Sequence, residues 1–136
     1  MFRRLIALPL CLLLLVSAAL AETRAKDRVA LVFGMANYQN VTALRNTISD
    51  AGALAKTLED IGFDVDVRMD ATKEEALAAL DKFAFEAETA DIALIYFAGH
   101  GVSVQGTTFL FPVDAKISEA RDIVTASVTM DQMLAA

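Results

Sequence analysis

Among its 136 residues this chain has one Cys, one His and no Trp. A single His without partner thiols supplies no cluster of soft or imidazole ligands, which excludes a zinc-type metal site. The Cys is Cys11, inside an apolar N-terminal run; a chain that loses this run has no cysteine, so neither a disulfide nor thiol chemistry is open to it. A surplus of positive charge is also lacking, with 12 Lys and Arg against 18 Asp and Glu, net −6. Without Arg3 and Arg4 the balance is 10 to 18, net −8. Such an acidic body is unsuited to neutralising phosphates and is repelled by anionic lipid, which excludes nucleic acid and membrane surfaces as partners. Internal repeats and low-complexity linkers are missing too. The segment after Gly34 lacks the second Gly and the Lys of a phosphate loop.

What is present begins with a leader. Met1–Phe2–Arg3–Arg4 is cationic, the run from Leu5 to Val16 is apolar, and Ala19–Leu20–Ala21 is a small-residue cleavage pattern. These are the parts of a signal peptide, cleaved after Ala21, and they predict a secreted or periplasmic product. The apolar run is shorter than the ~20 residues of a spanning helix, and the bulky Leu10 before Cys11 argues against lipid attachment. Residues 22–27 read as a polar lead-in. Residues 28–136 read as one domain.

Within that domain the hydrophobic pattern alternates between two periods. Residues 28–34 (RVALVFG) are a continuous apolar run, the mark of a parallel strand buried on both faces. From Ile48, apolar residues recur at Ala51, Leu54, Ala55, Leu58 and Ile61, a helical stripe closed by Gly62, with Ser49 or Asp50 at its start. Residues 63–69 alternate apolar and polar, predicting an edge strand whose Asp64 and Asp66 face outward. Thr72 and Glu75 form a capping box for a second helix to about Glu88, with Leu77, Leu80, Phe83, Ala84 and Ala87 as its stripe; Glu86, Glu88 and Asp91 read as a solvated face. Residues 91–98 are a second buried strand, ending at Gly99–His100–Gly101. Residues 108–113 read as a short strand or hairpin arm stopped by Pro112, and residues 129–136 as the start of a helix.

This succession predicts an α/β fold: a three-layer α-β-α sandwich on a mostly parallel sheet of order 2-1-3, with helices on both faces. Ligands of such sheets bind at the carboxyl ends of the strands where the order reverses. The loop after Gly34 and the His100 turn meet there. Alone, His100 is either a reactive strand-end group or incidental to a tight turn with positive φ at both glycines. Gly101 is a candidate oxyanion donor through its N–H. Asp50 is either a helix-start residue or a carboxylate that selects a basic side chain; Arg45 and Asn46 share that ambiguity. Tyr38 is either a core aromatic or a pocket wall.

Taken in order, residues 28–34 with Asn37–Tyr38, Asn46–x–x–x–Asp50–Ala51–x–x–Leu54, Gly62–Phe63, Tyr96–Phe97–Ala98–Gly99–His100–Gly101 and Phe109–Leu110–Phe111–Pro112–Val113–Asp114 resemble the first half of the caspase-like cysteine peptidases, above all the bacterial and metacaspase-type members. The resemblance runs from Arg28 to Ala136. It implies cleavage of protein or peptide substrates through a Cys–His dyad without an organic cofactor, with His100 as the catalytic base and Gly101 as the oxyanion amide. It further implies that Asp50 lines a pocket for Arg or Lys, while Arg45 keeps open the Asp specificity of caspases proper. Calcium, to which some relatives respond, has no assignable site.

One departure matters. The family's nucleophilic Cys follows the His by ~50 residues, and here none of residues 101–136 is Cys. The expectation is therefore a caspase-like domain incomplete at its C-terminus, a fragment or inactive as written. The rival is a non-catalytic caspase-like binding or regulatory module; a more distant one is a flavodoxin-like domain holding a small ligand at the same switch point.

Overall fold

The computed structural model describes residues 28–136. The leader and the lead-in lie outside the described residues. Ten elements follow in the order β1 (Arg28–Gly34), α1 (Thr47–Asp60), β2 (Asp64–Met69), α2 (Lys73–Ala87), β3 (Ile92–Ala98), β4 (Gly101–Val104), β5 (Thr107–Leu110), α3 (Asp122–Ala126), β6 (Val128–Thr129) and α4 (Met130–Leu134). β1 pairs in parallel with β2 on one side and β3 on the other, giving the order β2-β1-β3. Successive side chains of a strand point to opposite faces, and β1 serves two cores at once. Ala30 and Val32 pack with Ala51, Ala55 and Leu58 of α1. Val29, Leu31 and Phe33 pack with Ala76, Ala79, Leu80 and Phe83 of α2. The three layers and the 2-1-3 order are those the sequence predicts.

Several local expectations are corrected. β3 is half-buried rather than buried, and Ile92 is 46% exposed. Its apolar residues suit a central strand, but among the described residues it has a neighbour on one side alone. Ile61 follows the last turn of α1 and is 55% exposed, so it leaves the stripe. Neither Ser49 nor Asp50 caps α1, although Asp50 does place its charge in the first turn, as expected. The cap position is Asn46, without a side-chain cap bond, and the Ser49 hydroxyl donates back to the Asn46 carbonyl at 2.8 Å. Asp66 is not a free outward charge: its carboxylate accepts from Arg68 at 2.8 and 2.9 Å and from Lys82 of α2 at 2.9 Å. Partial burial works against ionisation there, and these two cations outweigh it, lowering the Asp66 pKa.

The capping box of α2 is formed as expected. Beyond β3 the chain builds a second, antiparallel sheet of order β4-β5-β6. β4 and β5 are joined by Gln105 and Gly106, both with positive φ (49° and 87°), the backbone that a tight hairpin of right-handed twist requires. The terminal helix α4 opens with its own capping box, Thr129 and Gln132, and seats Met133 in the core.

Candidate active site

The carboxyl ends of β1 and β3 stay joined one residue past the ladder, where the Met35 N–H donates to the Ala98 carbonyl at 2.8 Å. His100 leaves the sheet directly beyond that bond. Neither Gly99 nor Gly101 has positive φ, so the tight-turn account of this segment fails. Both are glycines because neighbours come too close. A Cβ on Gly99 would lie 2.6 Å from the Tyr38 hydroxyl, and one on Gly101 would lie 2.9 Å from the Phe109 carbonyl oxygen.

The His100 ring is half-buried and its Nε2 stands 2.7 Å from the Thr42 carbonyl oxygen. A carbonyl has no proton to give, so Nε2 is the donor in this bond. The neutral ring therefore carries its proton on Nε2 and leaves Nδ1 as the basic lone pair. Tyr38 packs against the other side of this arrangement, its ring centroid 4.8 Å from that of His100 and the planes tilted by 53°. It belongs to the core, as the first of the two readings expects, and its ring also touches that of His100.

Gly101 pairs with Leu110 across the hairpin, next to the position where the Phe111 N–H donates to the His100 carbonyl at 2.9 Å. Hydrogen-bonded and non-hydrogen-bonded positions alternate along an antiparallel pair. The Gly101 N–H therefore points away from β5, toward the open side of the strand. His100 and Gly101 thus present an imidazole base and an outward amide on adjacent residues.

The loop that brings Tyr38 and Thr42 to His100 is tied at both ends. Thr47 donates its hydroxyl proton to the Met35 carbonyl at 2.7 Å, and Leu44 N–H donates to the Ala36 carbonyl at 3.0 Å. Across the sheet, Asp70 follows β2 in a left-handed conformation (φ 50°). Its carboxylate accepts from the Ala36 N–H at 2.7 Å, the Asn37 N–H at 2.9 Å and the Asn37 side-chain amide at 2.6 Å. Partial burial of this carboxylate opposes ionisation, but the three donors outweigh it and hold its pKa below the ordinary value. A depressed carboxyl pKa adds stability above the unfolded value, and that contribution fades as pH falls through the folded one. Asp70→Asn keeps a side chain that tolerates positive φ but removes the charge. It is expected to cost about 0.5–1.5 kcal/mol at pH 7, since much of the charge is screened by solvent, and the gap to wild type should narrow on acidification below about pH 4. Denaturant titrations of both proteins at pH 7 and pH 3 check this; an equal gap at both values would leave the charge without a role.

The two candidate specificity residues lie in the same stretch of chain. Asp50 is in the first turn of α1 and Arg45 is in the loop before it; both are exposed. No hydrogen bond or ion pair joins either to His100 among the described residues. Nor do any three His, Cys, Asp or Glu side chains among the described residues stand together as metal ligands. Reasoning from the sequence missed three contributors: the Thr42 carbonyl, the Tyr38 hydroxyl and Asp70. The first is a backbone atom and leaves no mark in a sequence. Asp70 did leave one, a residue tolerant of positive φ between a strand and a capping box.

The family model described as the caspase domain matches residues 27–136. The human mucosa-associated lymphoid tissue lymphoma translocation protein 1 is 36% identical over 91 residues, which are 67% of this chain and 11% of that protein. Its mouse homologue is 35% identical over 91 residues, with the same coverage. The chain thus spans about a ninth of the length of the curated relatives it matches.

Proposed function

This chain belongs to the caspase-domain family, and on that premise we propose that residues 28–136 are the histidine-bearing part of a cysteine endopeptidase acting on protein substrates. The observation that carries this reading is the 2.7 Å bond from His100 Nε2 to the Thr42 carbonyl, which leaves Nδ1 as the base. In the reaction, Nδ1 takes the proton of a cysteine thiol and the thiolate attacks the scissile carbonyl carbon. Negative charge gathers on the carbonyl oxygen, which the Gly101 N–H receives. The imidazolium then gives its Nδ1 proton to the amine as the C–N bond breaks. A water activated by the same nitrogen hydrolyses the thioester and restores the thiol. Throughout, the Thr42 carbonyl dipole stabilises the positive ring.

Residues 28–136 contain no cysteine, so this reading requires a thiol from outside them. The outer edge of β3 supports this reading: its backbone is free of a second strand among the described residues, and a parallel strand added there would end beside His100. The leader-like residues 1–21 support export to the periplasm or beyond.

Specificity for Arg or Lys follows from Asp50, an exposed carboxylate in the first turn of α1, on a body whose net charge of −6 draws basic peptides. Arg45 serves the competing preference for Asp. The test is a panel of peptides with Arg, Lys or Asp before the cleaved bond, given to the full-length gene product. Cleavage after Arg and Lys is expected at kcat/KM at least about 100-fold above Asp, and Asp50→Ala should remove most of that preference. Preference for Asp, abolished by Arg45→Ala, would reverse the assignment. A thiol-containing product that cleaves no peptide would reduce the domain to a binding module.

A further inference from the structure

An antiparallel pair exchanges two backbone hydrogen bonds at each hydrogen-bonded position. His100 and Phe111 stand at such a position, just before β4 and just after β5, yet one bond of the two is direct, from the Phe111 N–H to the His100 carbonyl. The return bond runs through a side chain. The Tyr38 hydroxyl accepts from the His100 N–H at 2.8 Å and donates to the Phe111 carbonyl at 3.0 Å. An oxygen from a residue 62 positions earlier is thus built into the ladder at the residue that carries the imidazole.

A core tyrosine needs one polar partner for its hydroxyl. This one has two, both on the backbone flanking the site, and its ring lies against the imidazole rather than against apolar neighbours alone. Gly99 fits the same design, since any Cβ there would press on this hydroxyl. The hydroxyl also keeps its proton: burial raises its pKa, opposed by the bond from the His100 N–H and aided by the negative charge of Asp70. It therefore remains a donor to Phe111 across the working range of a peptidase.

We propose that Tyr38 is a positioning residue for His100, fixing its backbone through the relay and bracing its ring through the tilted ring contact, so that Nε2 stays on the Thr42 carbonyl. The proposal rests on the reading of His100 as a general base. Without the hydroxyl, the His100 N–H and the Phe111 carbonyl lose their shared partner, and the backbone that sets the ring on the Thr42 carbonyl loosens, so that Nδ1 is less firmly reserved for the thiol.

The 136-residue chain has one histidine, so its imidazole nitrogens give one pair of NMR signals. In the wild type the Nε2–H tautomer should dominate. A protected hydroxyl proton of Tyr38 should show a nuclear Overhauser contact to the His100 amide. Tyr38→Phe should bring the tautomers toward parity and speed exchange of the His100 amide at least about tenfold. In the full-length protein it should lower kcat about tenfold or more with KM nearly unchanged. An unaltered tautomer ratio and amide exchange in Tyr38→Phe would overturn the proposal. Should that variant not fold, lack of the protected hydroxyl proton in the wild type would do the same. These signals need no cleavage: if they appear as expected while a thiol-containing full-length protein hydrolyses no peptide, the peptidase reading fails and the placement of the His100 ring by Tyr38 stands.

Discussion

Replacing His100 by Ala in the full-length protein is expected to lower kcat for peptide cleavage by about 1,000-fold or more, with little loss of fold. General base catalysis contributes about 10²–10⁴ in rate, and in the proposed mechanism one nitrogen would serve three proton transfers: from the thiol, to the amine and from the hydrolytic water. No second histidine exists in the 136 residues to take over. The structural loss is small by comparison. The half-buried ring makes one hydrogen bond, to the Thr42 carbonyl, and one face contact with Tyr38. A net cost of about 1 kcal/mol is expected, because the backbone relay through the Tyr38 hydroxyl uses the His100 N–H, which Ala retains. Steady-state cleavage of an Arg peptide and a thermal melt, run side by side, decide the matter. Turnover close to wild type would remove His100 from the chemistry, whereas a collapsed melt would mean the residue holds the structure and says nothing of catalysis.

The parts of the fold that were legible in the sequence are those fixed by local period. β1 is apolar from Val29 to Phe33 because helices cover both of its faces, and it reads as what it is. α2 announces itself by Thr72 and Glu75, whose mutual bonds form within four residues. β3 shows the limit of this reasoning: residue type records what a strand suits, while burial depends on which strand lies beside it. β4 was passed over because Gly101–Val104 is short and mostly exposed, and its turn is Gln105–Gly106 rather than a pair such as Asn–Gly with a strong hairpin signal. α3 and β6, at five and two residues, carry too few positions to show a period at all. The site divides in the same way. His100 was visible because a strand end at a topological switch is a general address. Its partners were not, because Tyr38 reaches it across 62 residues and Thr42 reaches it across 58 through a backbone atom. Side-chain patterns do not encode such contacts.

Phe33→Ala should produce the largest loss of stability of any single change considered, about 3–5 kcal/mol. Phe33 is fully buried near the end of the central strand, in register with Phe97 of β3 and Arg68 of β2. Its ring centroid is 6.2 Å from that of Phe97, tilted by 50°, within the core that α2 covers. A β-strand with hydrogen-bonded neighbours on both sides has little freedom to collapse into the space left behind, so the cavity term adds to the lost transfer energy. Against a total stability of about 5–15 kcal/mol, that loss brings the domain near its unfolding threshold. Val67→Ala on the edge strand β2, where the side chain is already 36% exposed, should cost under about 1.5 kcal/mol. The contrast tests the architecture itself, since it depends on β1 being central and β2 being peripheral. It also touches the site, because Gly34, the next residue, offers its carbonyl to the Asp70 N–H, and Asp70 in turn holds the loop of Tyr38 and Thr42. A cavity at Phe33 should therefore loosen the His100 partners before the chain unfolds. In urea titrations of a thiol-containing full-length protein, the peptidase activity expected under the proposed function should decline at lower denaturant than the far-ultraviolet signal in Phe33→Ala, and together with it in the wild type. Equal costs for Phe33→Ala and Val67→Ala would contradict the strand order on which the site is built.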